Sequence, residues 1–200
     1  LTLALQKRPV TQDQMEAIKW YRLAAEQDYS WAQNKLAAMH LAGSTVEQDD
    51  PQAIKRYRRM AEQGDAAAQL RIGQMYAEGQ GVPQDAKQAF KWYRLAAEQG
   101  NARAQHYLSD MYITGQGTSQ DQQEALKWVR RAAAQGLPRA QHNLGAAFNS
   151  GLGLAQDSKE AVRWFRLAAE QGYAPAQYNL GVMYTSGQGV SQDYAAAAKW

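Results

Sequence analysis

Histidine is the side chain best placed to do chemistry near neutral pH, and the chain has three: His40, His106 and His142. His106 and His142 hold one position in consecutive copies of a repeated segment. On stacked helix pairs their backbones would stand about 10 Å apart. Direct zinc chelation needs metal–nitrogen distances near ~2 Å and usually four ligands. No carboxylate or third histidine recurs beside the pair, so no metal site is expected. His40 takes the position of Tyr76, Tyr112 and Tyr184 and reads as a partly buried aromatic substitute. The loop Gly79-Gln80-Gly81 and its copies suggest a phosphate cradle, but they follow a helical pattern, whereas a dinucleotide fingerprint follows a strand. No serine and aspartate form a Ser/His/Asp set with an orienting partner. Cysteine is absent, which removes disulfides, thiolate ligands and thiol nucleophiles and leaves the compartment unspecified. No catalytic residue and no cofactor is expected, and hydrolysis is the remotest functional reading.

Cations form a more regular pattern: Lys19/Arg22, Lys55/Arg58, Lys91/Arg94, Lys127/Arg130 and Arg163/Arg166. Such a ladder could bind nucleic acid, anionic lipid or an acidic polymer. Glu26, Glu62, Glu98 and Glu170 each follow an arginine by four residues and partly neutralise the stripe. No aromatic residues interleave it, as a strand-stacking surface would require. A solvated outer face is therefore the preferred reading, and nucleic acid is disfavoured. The net charge of +3 and the isoelectric point near 9.0 keep an anionic polymer open as the alternative.

These residues are positioned by a repeat. Gly64–Gln99, Gly100–Gln135 and Gly136–Gln171 are copies in register at a 36-residue period; 28–63 is a worn copy, and 1–27 and 172–200 are partial ones. A fixed period of this size predicts a stacked array read as one domain over residues 1–200. Ala68, Ile72, Met75 and Tyr76 share one face of a helix expected over about Ala66–Glu78. Gly79 stops it and Gly81 loosens the loop. Asp85 and Gln88 form a capping box for a second helix, repeated as Asp13/Glu16, Asp49/Gln52, Asp121/Glu124 and Asp157/Glu160. Ala89, Trp92, Tyr93, Ala96 and Ala97 share one side of that helix. Small residues at Ala68, Ala104, Ala140 and Ala176, and at Gly73, Ser109, Gly145 and Gly181, let helices approach closely. Trp20, Trp92, Trp128, Trp164 and Trp200 are read as core. Trp200 is expected to be more exposed than the others or covered by another chain. Arg56 and Thr45 replace a tryptophan and a loop glycine, so residues 28–63 should pack least well. Leu1 falls inside a first helix and Trp200 inside a second, which reads as a piece of a longer chain. No apolar run approaches the ~20 residues of a membrane span.

The pattern Ala-Gln-x-x-Leu-Gly-x-Met-Tyr-x-x-Gly-x-Gly-Val, then Gln-Asp, Ala-x-x-Trp and Ala-Ala-Glu-Gln-Gly, resembles the Sel-one-like repeat (SLR) family, whose units are similar to tetratricopeptide repeats but slightly longer. Ala68–Gly100 carries it most clearly. Ala176–Trp200 repeats it with Gln177, Leu180, Gly181, Met183, Tyr184, Gly187, Gly189, Val190 and Asp193. The resemblance implies an all-α, right-handed superhelical solenoid of antiparallel helix pairs and an adaptor that holds other proteins together. It implies no shared catalytic residue. Some members carry a disulfide in every repeat; this chain cannot.

On each first helix the side opposite the packing face changes from copy to copy. It carries Trp31 and Lys35, then Arg71 and Gln74, then Arg103, Tyr107 and Asp110, then Arg139 and Asn143, then Asn179. In the stacks these repeats resemble, first helices line the concave wall. Trp, Tyr and Arg there are the residue types favoured at binding hot spots. Arg103 and Tyr107 are read as facing the groove, free of core packing. The expected function is a non-enzymatic scaffold holding a protein or peptide segment in the groove. Its partner and oligomeric state are not specified.

Overall fold

The computed structural model describes Glu16, Ala17, Trp20 and Tyr21, all helical, and residues 51–200. Nine helices follow one another over 51–200: α1 (Pro51–Glu62), α2 (Ala66–Glu78), α3 (Ala86–Glu98), α4 (Ala102–Thr114), α5 (Gln122–Ala134), α6 (Pro138–Ser150), α7 (Ser158–Glu170), α8 (Ala174–Ser186) and the short α9 (Tyr194–Ala197). No strand occurs among the described residues. Each helix packs on its neighbour in the chain, and α2/α3, α4/α5 and α6/α7 are helix–loop–helix units in step with the sequence repeat. His40, Thr45, Asp13 and Asp49 lie outside the described residues, as do Lys19 and Arg22.

The loop chemistry explains the regularity. Asp85 accepts from the backbone N–H groups of Lys87 and Gln88, so the orphan donors of α3 are capped as the spacing predicts. The reciprocal half of the box is absent. The Asp85 N–H donates to the Tyr76 carbonyl at 2.9 Å, and Asp121, Asp157 and Asp193 do the same to Tyr112, Phe148 and Tyr184. The cap thus ties the second helix to the aromatic turn of the first. Gly117 corrects the reading of the second loop glycine as a loosener. Its φ is +72°, and a Cβ there would lie 2.1 Å from the Ala86 carbonyl oxygen of the preceding unit. It is a point of close contact between repeats.

A buried glutamine performs the same task at the other end. Gln69, Gln105, Gln141 and Gln177 donate through Nε2 to the carbonyls of Ala61, Ala97, Ala133 and Ala169, in the last turns of the preceding second helices. Gln99, Gln135 and Gln171 then donate to the side-chain oxygens of Gln69, Gln105 and Gln141 at 2.7–2.8 Å. A buried amide without such partners would cost a few kcal/mol. The core is a string of apolar clusters shared between neighbours, one joining Tyr93 and Ala97 to Leu108 and Trp128, another joining Phe165 and Ala169 to Leu180 and Met183. Trp92 and Trp128 are buried, while Trp164 and Trp200 are half-buried. Trp20 is 61% exposed, and the residues of the following unit, 28–50, lie outside the described residues.

Candidate functional site

First helices of successive units lie side by side, and their variable faces meet. Gln74 Nε2 on α2 donates to the Tyr107 hydroxyl on α4 at 3.4 Å. On α6, neutral His142 with its proton on Nδ1 donates to Asn143 Oδ1 (3.3 Å) and accepts at Nε2 from Asn179 Nδ2 of α8 (3.0 Å). Burial holds His142 below the usual histidine range, opposed by the Asn143 hydrogen bond. Arg103 and Arg139 are exposed, and Arg71, Asp110, Asn143 and Asn179 are half-buried. Trp31 and Lys35 lie outside the described residues.

Two sequence readings need correction here. Tyr107 is not free of packing: its ring stacks on Tyr93 with centroids 5.0 Å apart and planes 20° apart, so it supports the wall as well as lining it. His106 does have a carboxylate beside it. Asp110, one turn on, brings Oδ2 to 3.3 Å from Nε2, without the alignment of a hydrogen bond. Helix spacing of four residues is the signal that would have found this pair. Burial lowers His106 to about 4, with Arg139 adding to the effect, so it is neutral at neutral pH and the contact is not an ion pair. Burial raises Asp110 to about 6 while Arg139 opposes the rise. With 43% of its side chain still meeting solvent, Asp110 stays ionised at neutral pH. Ser109 cannot complete a nucleophilic set, since it is 1% exposed and its hydroxyl donates to the Ala125 carbonyl. Among the described residues no three His, Asp or Glu side chains converge on a point.

The same side opens into a cleft of about 540 Å³. Asn143, Ala146 and Ala147 of α6 form one wall, Ser109 and Ile113 of α4 another, and Asn179, Val182 and Met183 of α8 a third, with Phe165 and Val129 behind. Its rim exposes Ile113 (46%), Leu152 (50%) and Val182 (46%). Ile113 and Leu152 were missed in the sequence. Leu152 had left a signal: the loops read Gly-Gln-Gly at 79–81, 115–117 and 187–189 but Gly-Leu-Gly at 151–153.

The basic second-helix residues are largely engaged. Arg94 pairs with Glu98 at 3.1 Å as the spacing predicts. Arg58 and Arg166 instead donate to the hydroxyls of Tyr76 and Tyr184 in the next unit, leaving the expected partners Glu62 and Glu170. Lys127 and Arg163 pair with Glu124 and Glu160 and lie over the rings of Trp128 and Trp164.

An array of paired helices, joined by repeated caps and presenting a cleft built from several units, defines an all-helical repeat protein. Six Sel1 repeats match residues 5–29, 32–65, 66–101, 102–137, 138–173 and 174–200, and the chain belongs to the Sel1 repeat family. Proteins of this family generally serve as protein–protein interaction scaffolds. The chain is similar to a protective antigen of uropathogenic Escherichia coli strains that displays an SLR fold: 38% identity, TM-score 0.80, covering 90% of this chain and 38% of that one. It is similar also to a Sel1 repeat protein from Oxalobacter formigenes, with 37% identity and TM-score 0.80 over 92% of this chain and 53% of that one. It thus spans about half or less of either relative. An immunity protein from Pseudomonas aeruginosa shares the fold at 21% identity and TM-score 0.57, over 99% of this chain and 70% of that one. No curated protein matches in sequence.

Proposed function

We propose that this chain is a non-enzymatic scaffold that holds a segment of a partner protein in the cleft along its first helices. The observation that carries the reading is the exposed aliphatic rim of Ile113, Leu152 and Val182 around a cleft containing the carboxamides of Asn143 and Asn179. Apolar side chains held at solvent beside oriented hydrogen-bonding groups are what an extended peptide needs. Val182→Asp with Ile113→Asp should abolish capture of peptides selected from a random display library. Because both sites are exposed, the melting temperature should hardly change. Undiminished peptide capture by that folded double variant would defeat the reading.

The alternative, an anionic polymer on the second-helix cations, is disfavoured by the partners those cations already have. Polymer binding would fall log-linearly with salt through counterion release. The hydrolase reading rests on His106, and robust turnover abolished by His106→Ala would revive it.

A further inference from the structure

Four second-helix guanidinium groups have polar side-chain partners, while Arg59 and Arg130 have no carboxylate within ion-pair distance among the described residues. Arg94 and Arg163 have carboxylate partners, and Arg58 and Arg166 have tyrosine hydroxyls. Arg71, Arg103 and Arg139, on three successive first helices, have no carboxylate within ion-pair distance among the described residues. On the stripe that opens into the apolar cleft these arginines face one carboxylate, Asp110, so that stripe is positively charged. Arg139 stands one turn before Asn143, on the same face of α6, and Asn143 lines the cleft. From Arg139 to Ala146 and Ala147 is about 11 Å of helix. That distance equals about three residues of extended chain.

We propose that the occupant of the cleft is an acidic–apolar peptide segment, in which an Asp or Glu lies about three residues from apolar side chains. The carboxylate meets Arg139 and Arg103, the apolar side chains enter between Ile113, Leu152 and Val182, and Asn143 and Asn179 serve the peptide backbone. Asp110 faces the same arginine from α4 without reaching ion-pair distance, so it competes with the incoming acid. This inference rests on the cleft being the binding site and adds the chemistry of its ligand.

The test selects short random peptides from a display library on the wild-type protein and on Arg103→Glu/Arg139→Glu, at physiological ionic strength. Selected peptides are then titrated against both and against Asp110→Asn and Val182→Asp. The wild type should enrich Asp or Glu about three residues from an apolar pair. Charge reversal should weaken those peptides about tenfold or more and itself enrich Lys or Arg. Asp110→Asn should tighten them. Peptides lost on Val182→Asp but lacking an acid, and indifferent to charge reversal, overturn this inference and leave the cleft reading standing. Peptides indifferent to Val182→Asp overturn both. Displacement of the peptide by single-stranded RNA at matching affinity would replace a peptide ligand with a polyanion and overturn the inference too.

Discussion

His106 and Asp110 place two opposed pH dependences in one turn of helix. The folded chain holds His106 at about 4, below its ordinary 6.5, because burial disfavours the charged ring. Its contribution to stability is whole above the unfolded value and is lost as pH falls through the folded one. Asp110 is raised from 3.8 to about 6, so its contribution is whole at low pH and is lost as pH rises through about 6. Between about 6.5 and 4 the two changes run in opposite directions and largely offset each other. Asp110→Asn should therefore make the melting temperature fall more steeply than wild type as the solution is acidified through that window. His106→Gln should make the fall shallower or reverse it. Thermal melts at several pH values read the slopes whatever the absolute stabilities, and parallel curves for all three proteins would show that the pair does not titrate as described.

At the scale of the element, the contact between first and second helix is a volume match made separately in each unit. A Cβ on Gly73 would lie 2.6 Å from the Tyr93 ring, and one on Gly145 would lie 2.8 Å from Phe165 and 3.2 Å from the Ala161 carbonyl oxygen. The unit between them has Ser109 in place of glycine and Val129 in place of the aromatic ring. Small-with-large and larger-with-smaller solve the same packing problem. Gly145→Ser should destabilise by about 1–3 kcal/mol, because overpacking exceeds the propensity gained by removing a helical glycine. Phe165→Val should leave a cavity and cost a similar amount. Combined, they reproduce the neighbouring unit, so the double variant should lose about 1 kcal/mol or more less than the sum of the singles. Urea unfolding of the four proteins measures the coupling, and strict additivity would refute the match.

Across the whole molecule, cooperation depends on the joints between units. In repeat arrays stability is close to a sum of unit terms and nearest-neighbour terms. The junction at Gly117 joins two of the described units through backbone alone, with no side chain able to yield. Gly117→Ala places a Cβ against the Ala86 carbonyl and strains a left-handed residue, so neighbouring units should uncouple before either loses its own core. The expected result is a broadened denaturant transition with a lower apparent m-value, seen at different midpoints by circular dichroism and by tryptophan fluorescence. Coincident transitions with wild-type steepness would place the coupling elsewhere, in the shared apolar cluster of Tyr93, Ala97, Leu108 and Trp128 and the Gln105–Ala97 bond.

Much of this architecture is local and therefore readable in the chain. Apolar spacing, Asp85 and its copies as caps, and Gly79 and its copies as stops act within a few residues, and they specified the helices of each unit in advance. The periodic copying carried that reading along the array. What the sequence could not determine depends on residues brought together from different units. Asp85 has two possible partners for its N–H, and only the fold chose the Tyr76 carbonyl over the Gln88 side chain. Tyr107 lies on the outward stripe of its own helix, yet Tyr93 and Gln74 draw it into the wall. The cleft has the same origin: Ile113, Leu152 and Val182 lie on two helices and a loop far apart in the chain, and they form one rim because stacking places their units side by side. Periodicity reports which way a side chain leaves its own helix, while the neighbour it meets is set by inter-unit packing.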